Sequence, residues 1–490
     1  MHKQIRRMGI GLVIAFLLLF AQLNYVQFFA AGEIASNRAN PRALIREYSI
    51  ERGDILSLDF KKVATSVATK DRLKYRRTYP MGELFGHITG YYSINYGPSR
   101  IESSFNDHLL GDSGVVSIQD IEDRFTDSEE QGNRVRLTID TRLQEAARSA
   151  LGNERGAVVA LDPTTGEIKA LWSNPSFDPE PLASHSSKEQ KEYWDSLDPT
   201  SPTGPLVNIA TTRGYPPGST FKVVTAGAAL ESGRYDKDSE FDDPDQLDLP
   251  LTDDTLTNFT NSACTGTGRI DLFTALEISC DTTFAMIGLK IPDDVFDVAE
   301  GFGFNEPIPF DIRTEASSYP EIPDDRAPER AKAAIGQQDV VATPLQMALV
   351  AAGVANGGEV LRPRLVREVI DPTGGIVENF EPEVISEAMS SGTAADVTEM
   401  MVAAVATGTG TAAQIDGVDV AGKTGTAQTV EGANPHTWFI AFAPADDPQI
   451  AIAVIVENGG SFGSEATGGA VAAPIAKLVM EADRQLSDEW

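Results

Sequence analysis

Apolar and polar positions are arranged in three different ways along this chain, and each predicts a different kind of element. Between Arg7 and Glu33 the run MGIGLVIAFLLLFAQLNYVQFFAA is apolar on every side, interrupted only by Gln22, Asn24 and Gln27. At about 1.5 Å per residue it is long enough to cross a hydrocarbon layer of about 30 Å, which predicts a membrane-spanning helix. From residue 34 to about 140 short β-like runs alternate with turn signals, as in EYSIERGDILSLD and GHITGYYSINYG, predicting a small β-rich module. The Gly- and acid-rich stretch DIEDRFTDSEEQGNR then reads as a linker before the pattern changes at Val135.

The remaining 350 or so residues read as an α/β arrangement of the α+β kind. ERGAVVALDPTTGEIKALWS is two apolar runs around Pro-Thr-Thr-Gly, a β-hairpin pattern, and GVDVAGKTGTAQT, HTWFIAFAP and QIAIAVIVEN are three further strand candidates. Five strands from both ends of this part, with Ala/Leu-rich helical stretches between them, predict an antiparallel sheet closed around a helical subdomain. GGAVAAPIAKLVMEADRQL is expected as a final helix on that sheet. Residues 231–254 carry 10 acids against 2 basic residues and are expected as a solvated loop. The expected division is a tip and anchor at 1–32, a non-catalytic module at 33–140 and a large domain at 141–490.

Composition narrows the possible chemistry. A formal net charge of -32 over 490 residues lacks the concentrated positive field that a phosphate backbone requires, so nucleic acid is not an expected partner. Two cysteines and 5 His give no metal-site spacing, and no cofactor is expected. His2, Lys3, Arg6 and Arg7 precede the apolar run, which places residues 33–490 outside the cytoplasm by the positive-inside rule. A cleaved signal peptide is the alternative, with Ala30-Ala31-Gly32 as the cleavage candidate. Thiols in that compartment tend to oxidise, so Cys264 and Cys280, 16 residues apart, are expected to form a disulfide bracing the segment at Ser279; two buried free thiols are the alternative.

Candidate chemistry begins at GYPPGSTFKVVTAGAAL. Pro216-Pro217-Gly218 excludes helix before Ser219, and the run after it is helix-compatible, so Ser219 is expected at a helix N-terminus with Lys222 one turn on. A serine hydroxyl is a weak nucleophile unless a base takes its proton, and lysine serves if burial and nearby positive charge keep it neutral. Ser219 is the only serine in the chain followed by lysine three positions later. In AGKTGTAQ, strand geometry turns Lys423 and Gly425 to one side and Thr424 and Thr426 to the other, and Gly425 lets another backbone approach. An extended peptide could pair with this strand, its carboxylate taken by the lysine and threonines. Between these two motifs EISCDTTFAMIGL offers Ser279 and Asp281, a hydroxyl and a polar side chain at the start of another helical run.

Order carries more information than any one motif. Ser-x-x-Lys, a Ser-x-polar tripeptide 60 residues later and Lys-Thr-Gly 144 residues after that is the order of the penicillin-recognising serine acyltransferases. With IERGDI, YPMGELFGHITGYYS, LTIDTRLQEAA, GAVVALDPTTGEIKAL, AIGQQDVVATPLQMA and TWFIAFAP, the chain resembles over nearly its whole length the class B penicillin-binding proteins of the short actinobacterial kind. The resemblance implies a penicillin-recognising transpeptidase fold behind a dimerisation or pedestal-like module. The activity it implies is a β-lactam-sensitive D,D-transpeptidase that cross-links the D-Ala-D-Ala-bearing stem peptides of peptidoglycan, in division or in shape. Ser219 would attack the penultimate D-Ala carbonyl and Lys222 would act as base. Ser279 would relay a proton to the leaving group, and Lys423 would hold that serine and the substrate carboxylate electrostatically. Thr424 and Thr426 would bind the carboxylate, with the N–H groups of Ser219 and Thr426 as oxyanion hole.

The chain departs from the family at two places: the middle motif ends in Asp281 rather than Asn, and Gln337-Gln338 stands where relatives often carry Gln-Gly. An ionised Asp281 would favour protonated Lys222 and slow acylation at neutral pH. The roughly 110 residues before the large domain are too few for a glycosyltransferase, so a separate membrane-embedded glycan polymerase is expected as partner. Two other functions fit the same scaffold. A D,D-carboxypeptidase or β-lactamase would need a base that activates water, and no glutamate can be given that duty. A penicillin sensor or scaffold would do without turnover, and a multi-span signalling region would mark a sensor.

Overall fold

The computed structural model of the chain describes residues 2–29, 47–111, 131–427 and 432–487, together with Ile45 and Trp490. The cleavage candidate Ala30-Ala31-Gly32 and most of the expected linker before Val135 lie outside these residues. Helix α1 (His2–Asn24) passes into a single π-turn at Tyr25–Phe29. Within it Lys3–Gln27 is a 25-residue span of mean hydropathy 2.0 with none of its surface buried, long and apolar enough to cross a membrane.

The N-terminal module is built on strands β1 (Ile55–Leu56), β2 (Lys62–Ala68), β3 (Tyr75–Thr78) and β4 (Arg134–Leu137). Two more strands, Val366–Ile370 and Ile376–Asn379, extend the same sheet beyond β4, giving six in all. The sheet therefore draws on residues from both sides of position 140. All its pairings are antiparallel except β1 with β4. GHITGYYSINYG departs from the β-like reading. Gly86–Thr89 is a helical turn, ended by Gly90 at φ +69°, and strand pairing in the segment is confined to Tyr92–Ser93 with Gly97–Pro98. The turn forms because Ile88 and Thr89 are buried against the module's core, which outweighs their extended preference.

A buried ionic cluster ties this module together. Glu102 receives Arg52 Nε at 2.6 Å on one carboxylate oxygen and Arg77 Nε at 2.6 Å on the other, and the Tyr79 hydroxyl donates to it at 3.2 Å. Burial would raise the Glu102 pKa, but the two guanidinium groups hold it below the ordinary carboxylate value. The same arginines donate to the Glu102 and Gly53 carbonyls, so the charges are fixed by hydrogen bonds as well as by mutual attraction.

Helix α2 (Thr141–Leu151) leads into the large domain, capped by Asp140, which accepts from Arg142 N. The central sheet has the order β7–β8–β9–β5–β6, from β5 (Gly156–Leu161), β6 (Ile168–Asn174), β7 (Ala421–Ala427), β8 (His436–Ala443) and β9 (Ile450–Val456). Every pairing in it is antiparallel, matching the expected hairpin and the three later strands. All residues of β5, β8 and β9 are buried, which explains their unbroken apolar runs: both faces of the sheet are covered. Alternate residues feed two cores. Val158, Ala160, Ile452 and Val454 join a cluster that includes α2 and the C-terminal helix, whereas Ala157, Val159, Ala453 and Ile455 pack toward the helical subdomain.

Helices of that subdomain used below are α3 (Lys222–Glu231), α4 (Leu272–Glu277), α5 (Asp281–Lys290), α6 (Pro344–Ala355) and α7 (Ser391–Ala406); α8 (Ala472–Ser487) is the expected final helix. The acidic segment 231–254 is more ordered than a loop. Glu240–Asp242 and Gln246–Asp248 form short ribbons with Arg269–Asp271 and Thr255–Thr257, because Phe241, Leu247, Leu256 and Ile270 pack inward while the acids face out.

Replacing Glu102 by Ala would strand two buried guanidinium groups. The expected loss is about 3–5 kcal/mol, read as a lower denaturation midpoint of the full chain; an unchanged midpoint would show that the cluster contributes nothing to stability.

Candidate active site

The nucleophile turn is shaped by two prolines and a glycine. Tyr215 exchanges backbone hydrogen bonds with Ala342 at 2.9 and 2.8 Å, and Pro216 O accepts from Trp438 Nε1 at 3.0 Å. Gly218 follows at φ +54°, a conformation that costs other residues strain, and its N–H donates to Gly336 O at 2.9 Å. The chain then runs as a 3-10 turn over Gly218–Phe221 before α3 begins at Lys222. Ser219 is thus placed at a helix start, as the sequence predicts. It is partly exposed, and its hydroxyl makes no hydrogen bond among the described residues.

Strand β7 lies at the edge of the sheet, with β8 as its single strand neighbour. A side chain at Gly425 would come within 2.8 Å of Pro217 O and 2.9 Å of Thr220 Cγ2, so glycine is what allows the strand to lie against the nucleophile turn. Lys423, two residues earlier, shares this face and is wholly buried; its ammonium nitrogen donates to Thr424 O at 3.2 Å. On the other face the Thr426 hydroxyl accepts from Gly468 N at 3.3 Å, and the Thr424 hydroxyl lies 2.6 Å from that of Thr409.

The middle motif closes the arrangement. Ser279 lies just beyond α4 at φ +65°, a strained conformation for a residue other than glycine, and Asp281 opens α5. Lys222 Nζ reaches all of it: Ser279 O at 2.8 Å, Ser279 Oγ at 3.3 Å and Asp281 Oδ1 at 2.6 Å. Asp281 thus directly neutralises the lysine expected to serve as base, whereas no hydrogen bond joins Lys222 to Ser219.

Two buried lysines and one carboxylate set the charge balance. Burial lowers the Lys222 pKa below the ordinary lysine value even though Asp281 pulls it upward. Lys423 lies well below that value, from burial and from the charge of Lys222, again with Asp281 acting against them. Burial therefore favours the neutral form of both lysines, and Asp281 opposes it in each.

Cys264 and Cys280 are joined by a disulfide, as the compartment argument expects. Asp243 anchors the same place by accepting from the N–H groups of Cys264 and Thr265 at 2.7 Å and of Gly266 at 3.1 Å. These three side chains come close enough to hold a cation, but the sulfurs are bonded to each other and the carboxylate is occupied by its loop. Asn258 completes the clamp: its carbonyl oxygen accepts from Thr282 N in the first turn of α5 at 3.0 Å. Gln338 stands at φ +62°, a conformation glycine reaches freely and glutamine at a cost of about 1 kcal/mol.

Sequence reasoning missed Asn258, Asp243, Thr409 and Gly468. Asn and Asp in a Thr/Ser-rich loop look like ordinary turn residues, and only Gly468-Gly469 ahead of an apolar run hinted at a close approach.

Comparison with known proteins agrees with this geometry. The sequence profile of the penicillin binding protein transpeptidase domain matches residues 156–481, and that of the penicillin binding protein A dimerisation domain matches residues 52–135. The chain is 38% identical to the peptidoglycan D,D-transpeptidase PbpA of Mycolicibacterium smegmatis over 98% of its own length and 99% of the relative's. Identity to the protein of that name from Mycobacterium tuberculosis is 37%, over 99% of each chain. The structure of penicillin-binding protein A from M. tuberculosis, in a ceftriaxone acyl-enzyme complex, superposes with a TM-score of 0.84 at 38% identity, covering 90% of this chain and 99% of that one.

Replacing Asp281 by Asn removes the charge that favours protonated Lys222. The neutral base then forms at lower pH, so the rising limb of the acylation pH profile is expected to move down by about one unit, with a faster rate at neutral pH. A rate that fell at every pH would show that the carboxylate assists the reaction.

Proposed function

The chain belongs to the class B penicillin-binding proteins, and we propose that it is a peptidoglycan D,D-transpeptidase working through a serine acyl-enzyme that β-lactams trap. The observation that carries this reading is the meeting of the Ser219 turn, the Lys222–Ser279–Asp281 cluster and the edge strand bearing Lys423. A donor stem would lie extended along the outer edge of β7, its terminal carboxylate toward Thr424, Thr426 and Lys423. Ser219 Oγ attacks the penultimate D-Ala carbonyl as neutral Lys222 takes its proton. The oxyanion falls to the N–H groups of Ser219 and Thr426. On collapse the C–N bond breaks, and D-Ala leaves with a proton passed through Ser279. An acceptor amine then attacks the ester, surrenders its proton to Lys222 and frees Ser219, leaving a new amide cross-link.

The charge balance gives Lys423 a conditional role. Held toward neutrality in the free enzyme, it is drawn back toward the ammonium form by an incoming carboxylate, so substrate binding itself supplies the positive field.

Full-length protein given benzylpenicillin should gain one acyl group on Ser219, and Ser219→Ala should gain none. With a pentapeptide or thioester donor and an amine acceptor, the expected product by mass spectrometry is the cross-linked amide. Hydrolysed donor alone would favour a carboxypeptidase.

Residues 33–140 are read as a non-catalytic pedestal or dimerisation module, supported by the profile match at 52–135. Glycan polymerisation is then the work of a separate membrane-embedded enzyme. The charge pattern at His2–Arg7 places the large domain on the outer face of the membrane, where stem peptides are found. In intact cells an impermeant thiol reagent should label a cysteine introduced at Lys290; protection until lysis would place the domain inside.

A further inference from the structure

Thr409 lies on the turn after α7, 15 residues before Thr424 and outside all three motifs. The turn is held at both ends of the site. Thr407 donates to Glu277 Oε1 at 2.6 Å, two residues before Ser279, and Gly410 N donates to Ala404 O at 2.8 Å. This sets the Thr409 hydroxyl 2.6 Å from the hydroxyl of Thr424, and neither makes any other side-chain hydrogen bond among the described residues.

The two strand threonines differ in how their oxygens are occupied. Thr426 Oγ1 already accepts from Gly468 N, so its one proton is free to be given elsewhere. Thr424 Oγ1 has only Thr409 beside it. If Thr424 donated to Thr409, it would have no proton for a second acceptor; if Thr409 donates, the Thr424 proton is released. A carboxylate only accepts, so it can be bound by both strand hydroxyls only in the second arrangement. Thr424 and Thr426 stand two residues apart on one face of β7, the spacing at which a single carboxylate bridges two hydroxyls.

We propose that Thr409 is a positioning residue of the donor-carboxylate subsite: it donates to Thr424 Oγ1 and so commits the Thr424 proton to the terminal carboxylate of the donor. The inference rests on the reading of Thr424 as a carboxylate contact. A two-link chain of this kind also polarises the terminal O–H and strengthens its bond to an anion.

The test uses full-length protein and two acylating probes, benzylpenicillin, which bears a free carboxylate, and its methyl ester, which does not. Thr409→Val keeps the shape and removes the hydroxyl. It should lower the second-order acylation rate of benzylpenicillin about tenfold while leaving that of the ester within about twofold. Thr409→Ser, which restores the hydroxyl alone, should return the benzylpenicillin rate to within about twofold of the parent. Adding Thr409→Val to Thr424→Val should cost nothing further, because the chain is already broken. Equal losses with both probes, or a serine variant as slow as the valine one, would overturn the proposal by showing a packing role. If Thr424→Val itself failed to distinguish the probes, the carboxylate reading of Thr424 would fall and the inference with it. A Thr409→Val that treats the probes alike beside a discriminating Thr424→Val overturns the inference alone.

Discussion

Two wholly buried lysines and the partly exposed carboxylate that pairs with Lys222 are the constraint on which the chemistry of this protein depends. Lys222 and Lys423 are wholly buried, and Asp281 is the acidic group in contact with Lys222. Burial pushes both lysines toward their neutral forms, while Asp281 pulls each back toward the ammonium form. The site therefore holds a base and an electrostatic clamp in the same small volume, and a substrate carboxylate can shift the balance between them.

The scaffold keeps these groups together by close backbone approach. Gly425 brings the edge strand against the Pro217–Thr220 turn, and Gly218 bends that turn toward Gly336, so the nucleophile is located by main-chain contacts from three separate parts of the sequence. The disulfide, Asp243 and Asn258 locate the second motif in the same manner, by fixing the start of α5 rather than by touching the reacting groups. The strained φ of Ser279 is held by this clamp and by α4 before it.

The elements that build the cleft were largely legible because their causes are local. Pro216-Pro217-Gly218 excludes helix before Ser219, and apolar runs such as AVVAL and AIAVIV, short and rich in β-branched residues, read as buried strands. GHIT was misread for the opposite reason: its extended preference is weak, and packing of Ile88 against distant residues decided the outcome. The acidic segment was read from its charges, although four inward-facing apolar residues determine its ribbons.

What the amino-acid sequence determined by itself is therefore the five strands of the central sheet, the helices after the Ser219 turn and at the C-terminal end, the residue types at each motif and the presence of a membrane-length apolar helix. All of these follow from backbone preference and from apolar period over a few turns. Only the tertiary structure decided that residues 366–379 complete the sheet of the N-terminal module, that no hydrogen bond joins Lys222 to Ser219, and that Thr409 meets Thr424. These are contacts between different elements of the fold, and the pKa of a buried lysine depends on the charges and the burial that such contacts create, which no local pattern carries.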